Sequence, residues 1–401
     1  MALTTNMAVL LRCLNISRKA TKVIFPSVTA SRNKHDSFKF SDLQIQLASS
    51  SQRFTKPDPS KLKFGEVFSD HMFEVEWNED DGWGVPRILP LHDLHLHPGA
   101  KILHYAQGVF EGMKAFKYSN EQVALFRPEM NVERLLVSSE RAALPPFDKE
   151  EFLKCLKKLV TIDKSWIPDT VESSLYIRPT YIGHQSALGI HSSSKALLFV
   201  VTCPVGAYFS TGRFTPVSLL ADPQYVRAWP GGVGDKKMAS NYGPTLHAQK
   251  VAQRQGLQQV LWLLGEDHYI TEAGGMNIFF LIKNAGGDLE LVTPPLDGTI
   301  LPGVMRRSVL DLTKKWDEFS VVERRITMKD VILANNEGRL VEMFSTGTAV
   351  CICPVGSIRY NGQDIKIPTT ASNSAISARL YKAITDIQYG RVKSEWSVVI
   401  E

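Results

Sequence analysis

Short apolar strands alternate with amphipathic helices on both sides of one Gly-, Ser- and Thr-rich stretch, Pro204–Pro216. Such alternation, without a repeat of fixed period, restricts the chain to α/β architectures in which helices cover the buried faces of sheets. Before the stretch, Met72–Trp77 reads as a strand leading into a hairpin-type turn at Asn78–Gly84, and Val123–Phe126, Leu175–Pro179 and Leu197–Cys203 read as strands. Asn131–Ala142 and Lys149–Val160 read as helices, the second with Phe152, Leu153, Leu156, Leu159 and Val160 on one face. After it come strands at Val217–Ala221, Gln259–Leu264 and Met276–Ile282. Helices are expected at Tyr242–Gln255, Val304–Lys315, Met328–Glu337 and Ser372–Gln388, with strand and turn between Leu340 and Tyr360. The expected organisation is an N-terminal extension at 36–63, a small α/β domain at 64–203, an interdomain loop at 204–216 and a larger domain at 217–401.

Charge is distributed unevenly. The first 35 residues contain no Asp or Glu but hold Arg12, Arg18, Lys19, Lys22, Arg32 and Lys34 among many Ser, Thr and Ala. An acid-free, basic, hydroxyl-rich stretch is the composition of a mitochondrial transit peptide, so residues 1–35 are expected to be one and the matrix to be the destination. The whole chain is formally +5; without those six bases the remainder is near neutral, which argues against nucleic-acid binding. No apolar run reaches the roughly 18 residues of a membrane span. Five cysteines in 401 residues make no disulfide framework.

Five segments carry candidate chemistry. In Gly231-Gly-Val-Gly-Asp-Lys-Lys-Met, closely spaced glycines precede two lysines. The segment suits a phosphate cradle, a lysine held for imine chemistry, or a solvated glycine loop, although Asp235 after Gly234 breaks the Walker spacing. Glu272, in a small-residue turn before the apolar strand Met276–Ile282, is costly unless paired; a carboxylate serving a cofactor and a plain capping residue are both open. Pro302-Gly303 before a helix exposes unpaired amides. The Phe344-Ser-Thr-Gly-Thr-Ala turn offers hydroxyl and backbone donors. His95 and His97 would share one face of a strand, but no third ligand stands at matching spacing, and no metal is expected.

Taken in order, longer segments match one family: Leu96-His-Pro-Gly, His104-Tyr-Ala-Gln-Gly-Val-Phe-Glu-Gly-Met-Lys-Ala-Phe, Leu125-Phe-Arg-Pro, Asn131-Val-Glu-Arg and Leu175-Tyr-Ile-Arg-Pro in the first half. Pro204-Val-Gly-Ala-Tyr-Phe, Val226-Arg-Ala-Trp, Asn241-Tyr-Gly-Pro-Thr, Thr293-Pro-Pro-Leu-Asp-Gly, Leu301-Pro-Gly-Val, Arg324-Arg-Ile-Thr-Met and Ile387-Gln-Tyr-Gly follow. From about Ser37 onward the chain resembles the branched-chain-amino-acid aminotransferases of the animal mitochondrial type. The resemblance implies the two-domain, D-amino-acid-aminotransferase-like fold type IV, with a small N-terminal and a larger C-terminal domain. It implies pyridoxal 5'-phosphate as cofactor and amino transfer from leucine, isoleucine or valine to 2-oxoglutarate. It also implies Lys237 as the Schiff-base lysine, Glu272 at the pyridine nitrogen and Tyr242 near the ring oxygen. Arg134, the amides of Val304 and Met305, and Thr348 take the phosphate. Tyr105, Phe110, Tyr176, Arg178, Tyr208, Thr348 and Ala349 are implied substrate contacts, with Phe64 beside them. Leu188 and Ile190, with Tyr105, correspond to residues supplied by a neighbouring subunit, which implies a homodimer.

The departures are specific. Lys236 stands where the family commonly has Tyr, and Gly275 where animal members have a pocket threonine. Val350 replaces the first cysteine of a redox Cys-x-x-Cys whose second is Cys353. A Cys351–Cys353 bond would close a small, strained ring, so no disulfide switch is expected.

Overall fold

The computed structural model describes residues 37–170, 172–206, 215–369 and 375–400. The leader 1–35, Tyr208 and the start of the expected C-terminal helix lie outside them. Residues from Asp36 onward form one compact unit built on two sheets.

Among the described residues, the first sheet has ten strands. Its centre is antiparallel: His71–Asn78, Lys195–Val205, Ser174–Gly183, Met113–Lys117 and Val123–Phe126 lie side by side in that order. The helices Pro128–Arg141 and Lys149–Ile162 bury Val132, Leu135, Phe152, Leu156 and Leu159 in the same core as Phe73, Ile88, Leu125 and Leu198 of the sheet. Asp148 opens the second helix by accepting from the Glu150 and Glu151 amides, which satisfies donors the helix itself leaves unpaired. Phe38 inserts between Phe73, Trp83, Phe147 and Phe152, so the N-terminal extension is packed against this core.

The second sheet has nine strands between Val217 and Lys366. Six of them close on themselves: Val217–Ala221, Gln259–Leu264, Tyr269–Ala273, Met276–Lys283, Leu340–Gly347 and Cys351–Tyr360. Closure leaves those strands no free edge. Pairing of Glu272 with Asn277 and Ala273 with Met276 makes a tight hairpin over Gly274-Gly275. Gly274 has φ +58, a left-handed conformation that glycine adopts without the Cβ penalty.

A third core joins the sheets. Phe116 and Phe126 of the first sheet meet Phe279 and Phe344 of the second, covered by the helices Val304–Trp316 and Ile376–Gln388. Phe279 and Phe344 stack with centroids 5.2 Å apart. Truncating a ring buried like Phe344 costs about 3–5 kcal/mol in such a core. The chain's last strand, Ser397–Ile400, returns to pair with Val123–Phe126.

Several expectations need correction. His92–Pro98 is loop, with His95 and His97 exposed, and the His97 ring accepts from the Gly99 amide. The helix expected from Tyr242 begins at Thr245, because Pro244 interrupts it after the 3-10 turn Ala239–Asn241. Tyr242 therefore sits in a link between helical segments. Glu272 lies on a strand, not in a turn. The short helix Lys101–Tyr105 and the strands Arg87–Pro90, Leu289–Thr293 and Ser397–Ile400 have no counterpart in the sequence reading.

Candidate active site

A cleft between the two sheets is lined by Gly112, Arg134, Tyr176, Lys237 and Glu272, by Gly303, Val304 and Met305 at a helix start, and by Thr346–Val350. Its lysine is held by the backbone. The Phe110 amide donates to the Lys237 carbonyl at 3.1 Å, and the Lys237 amide donates to Ser138 Oγ at 2.9 Å. Asn241 Nδ2 donates to the Val233 and Lys236 carbonyls at 2.6 and 2.7 Å, which fixes the glycine-rich segment from below. Lys237 Nζ then reaches the Tyr242 hydroxyl at 3.0 Å and lies 4.8 Å from the Phe110 ring centroid. Lys236 turns elsewhere and pairs with Asp235 at 2.5 Å.

Glu272 is 2% exposed. Its neighbours follow from the hairpin register, which sets Asn277 opposite. Asn277 Nδ2 donates to Oε1 at 2.9 Å and the Leu301 amide donates to the same oxygen at 3.1 Å. Arg227 Nη2 donates to Oε2. Burial pushes the Glu272 carboxyl above its ordinary value, and Arg227, the Leu301 amide and Lys237 oppose that without overcoming it.

Arg134, on the Pro128–Arg141 helix, grips Glu111 with two donors, Nε to Oε1 at 2.6 Å and Nη2 to Oε2 at 2.8 Å. Its Nη1 donates to the Pro302 carbonyl at 3.1 Å, which ties it to the start of the Val304–Trp316 helix. Gly303 caps that helix with no side-chain hydrogen bond. The leading amides, at the positive end of the helix dipole, therefore stand beside the Arg134 guanidinium in the cleft. Both line the cleft, an arrangement of donors that suits an anion.

The substrate-side residues divide into two groups. Tyr176 lines the cleft, and Gly112 must be glycine because a Cβ there would stand 1.9 Å from the Tyr176 hydroxyl. Arg178 Nη2 donates to that hydroxyl at 3.0 Å, and its guanidinium lies 4.9 Å from the Phe110 ring and 5.1 Å from the Tyr176 ring. Arg178 Nε is buried without a hydrogen-bond partner among the described residues. Phe64 meets Tyr176 edge-on at 4.8 Å and is half exposed. Tyr105, Leu188 and Ile190 are exposed and are not among the residues lining the cleft; the Tyr105 hydroxyl donates to the Leu188 carbonyl. Gly275 lines the cleft with its nearest neighbour, Tyr242 Cε1, 4.0 Å from a notional Cβ.

The sequence reading missed Arg227, Glu111 and Asn277. Arg227 lies 45 residues from Glu272 and Glu111 lies 23 from Arg134. Neither separation has a local pattern. The Glu272–Asn277 pair was readable only once the Gly274-Gly275 hairpin was recognised.

The family model of class IV amino-transferases matches residues 108–358, a span that holds the cleft. The cytosolic branched-chain-amino-acid aminotransferase of Ovis aries is 51% identical over 92% of this chain and 96% of its own. The mitochondrial one of Rattus norvegicus is 49% identical over 95% and 96%. Among solved structures, the branched-chain amino acid aminotransferase of Thermobaculum terrenum in its PLP form has a TM-score of 0.66 at 20% identity, covering 83% of this chain and 99% of that one. At that identity it speaks for the fold alone. With half its residues identical to theirs over nearly its full length, the chain belongs to the class IV aminotransferase family, among the branched-chain-amino-acid aminotransferases.

Proposed function

We propose that this chain transfers the amino group of leucine, isoleucine or valine to 2-oxoglutarate, reversibly and with pyridoxal 5'-phosphate as cofactor. The observation that carries the reading is one cleft lined by an amine, a buried carboxylate and the donors of Arg134 and a helix start, with the Tyr242 phenol 3.0 Å from the amine. These four groups fit the cofactor's aldehyde, ring oxygen, ring nitrogen and phosphate. Lys237 would hold it at the aldehyde, Tyr242 at the ring oxygen, and Glu272 at the nitrogen. Arg134, the Val304 and Met305 amides and Thr348 would hold the phosphate.

When bound, pyridoxal phosphate supplies an electron sink for charge developing at the substrate Cα. The Lys237 amine would take the proton from the substrate Cα as general base and give it back as general acid. Tyr242, at 3.0 Å, orients that amine. Glu272, supported by Arg227, would accept a hydrogen bond from the protonated ring nitrogen. Phe110, Tyr176 and Phe64 give an apolar wall for a branched side chain. The unpartnered Arg178 Nε offers a second carboxylate a donor that is otherwise costly to bury. The Thr348 and Ala349 amides meet the α-carboxylate.

The exposed Leu188 and Ile190, 64% and 89% exposed, with Tyr105 beside them, favour burial against a second copy, and the working form is a homodimer. The acid-free composition of residues 1–35 favours the mitochondrial matrix; relatives of both cytosolic and mitochondrial type occur. The test is glutamate formation from 2-oxoglutarate and leucine by the purified, cofactor-loaded protein. Activity abolished in Lys237→Ala supports the reading. A wild-type protein that forms no glutamate from any of the three amino acids defeats it. Light scattering that gives a monomer mass would remove the dimer.

A further inference from the structure

Lys114 lies outside the machinery described so far. It sits on the strand Met113–Lys117, where it pairs with Tyr176, and Tyr176 in turn pairs with Cys203 on the next strand. Residues directly opposite across adjacent strands share a face, so Lys114, Tyr176 and Cys203 form one row, and its middle member lines the cleft. From that row Lys114 Nζ crosses to the second sheet and donates to the Ala349 carbonyl at 2.9 Å. The residue is part-buried and makes no ion pair among the described residues, so one carbonyl holds its ammonium.

That carbonyl belongs to the turn Thr348–Val350, which joins the strands Leu340–Gly347 and Cys351–Tyr360 and contributes Thr348, Ala349 and Val350 to the cleft. A peptide unit is planar and trans. Fixing the Ala349 carbonyl therefore fixes the Val350 amide on the opposite side of the plane and restricts rotation of the Thr348–Ala349 unit. We infer that Lys114 is a positioning residue: it clamps the Thr348–Val350 turn from the opposite sheet, so that the turn's amides and a nearby positive charge receive the carboxylate of the amino-acid and 2-oxo-acid substrates. The inference rests on the transaminase reading for the substrates and adds the group that presents them.

The clamp has a pH signature. Burial pushes the Lys114 ammonium down to about 8, partly offset by Cys351, Cys203 and Glu172 around it. Tyr176, beside it in the row, and Arg178, two residues on along the same strand, also face it, and the Arg178 charge acts with that of Lys114 on Cys203. As pH rises through that value the charge-assisted bond to Ala349 becomes a weaker neutral one.

The experiment measures binding, so that it stands apart from turnover. The holoenzyme is titrated with 4-methylpentanoate, a carboxylate with leucine's side chain and no amino group. In Lys114→Met the Kd is expected to rise about tenfold at pH 7, the size of one charged hydrogen bond. The kcat for leucine should change by less than about threefold, and Lys114→Arg should recover part of the loss. The ratio of variant to wild-type Kd should shrink toward one above pH about 9 as the wild type loses its charge. An unchanged Kd in Lys114→Met, or a ratio constant from pH 7 to 10, overturns the clamp. If Lys114→Met does not fold, the wild type decides alone: its Kd must weaken as pH rises through about 8, and a flat profile overturns the inference. Failure of the transaminase reading shows separately, as absent glutamate formation in the wild type.

Discussion

Two buried carboxylate–arginine pairs face the same cleft and titrate in opposite directions. Glu111 is completely buried and would be raised by that alone, but the two-donor grip of Arg134 with Asn131 alongside outweighs burial and holds it below its ordinary value. Glu272 has Arg227 on one oxygen and neutral donors on the other, and burial prevails. The geometry explains the difference. A planar fork matched to both carboxylate oxygens recovers more of the desolvation cost than a single-ended contact. Glu111 is thus an anion whose work is to fix an arginine. Glu272, held above its ordinary value, is the more basic of the two carboxylates.

The sharpest way to break this comparison is to neutralise each acid without changing its shape. Glu272→Gln is expected to lower kcat by about a thousandfold, the upper range for removing one placed electrostatic group, with cofactor absorbance still appearing on titration. Glu111→Gln leaves Arg134 buried and unpaired, and is expected to cost about 3 kcal/mol of folding stability in urea titration along with weaker cofactor retention. Equal losses of rate and stability in both variants would show that the two pairs do the same job.

Acid unfolding extends the same contrast. Glu111 is held low, so its contribution is present above pH 4.5, the ordinary value, and disappears as pH falls through the folded one. Glu272 is held high, so its contribution is present below pH 4.5 and is lost as pH rises through the folded value. Glu111→Gln should therefore flatten the fall of stability below pH 4.5, whereas Glu272→Gln should remove the gain of stability that the wild type makes as pH falls toward 4.5 from above. Equilibrium denaturation from pH 3 to 7 checks both slopes, and slopes moving together would contradict the assignment.

Much of this was readable along the chain, and the reason for each failure is physical. The helices at Lys149–Ile162 and Val304–Trp316 announced themselves by periodicity, and strands such as Val123–Phe126 by dense apolar text. The Ser397–Ile400 strand was invisible because its pairing with Val123–Phe126 spans most of the chain. Lys237, Glu272 and Arg134 came from motifs. Arg227 and Glu111, which decide how the latter two behave, stand inside quoted motifs but had no role there, because a buried partner is chosen by tertiary proximity.

A third arginine gives a smaller effect. Arg178 is held to Tyr176 by one hydrogen bond and keeps Nε unpartnered, so it has a buried donor to give. Arg178→Ala is expected to raise KM for 2-oxoglutarate and glutamate about tenfold, the value of one charged hydrogen bond, and KM for leucine about twofold. Equal losses for both substrate classes would return Arg178 to a structural role.

The cysteines supply the limiting case of the contrast, burial with little cationic relief. Burial pushes Cys351 up to about 12 and Cys353 up to about 11, and Lys114 only partly opposes it at Cys351. At neutral pH their thiolate fractions are therefore very small, and the thiolate is the form that attacks peroxide. The two also pack into different clusters, Cys351 with Phe116 and Phe126, Cys353 with Met276 and Val350. Val350, an apolar side chain, packs in the same cluster as Cys353. Peroxide at concentrations that oxidise exposed thiols is expected to leave kcat/KM unchanged within error, in wild type and in Cys353→Ser alike. Dithiothreitol-reversible inactivation that vanishes in Cys353→Ser would mean that Cys353 becomes a thiolate despite its burial, and that burial alone does not set the chemistry of this cleft.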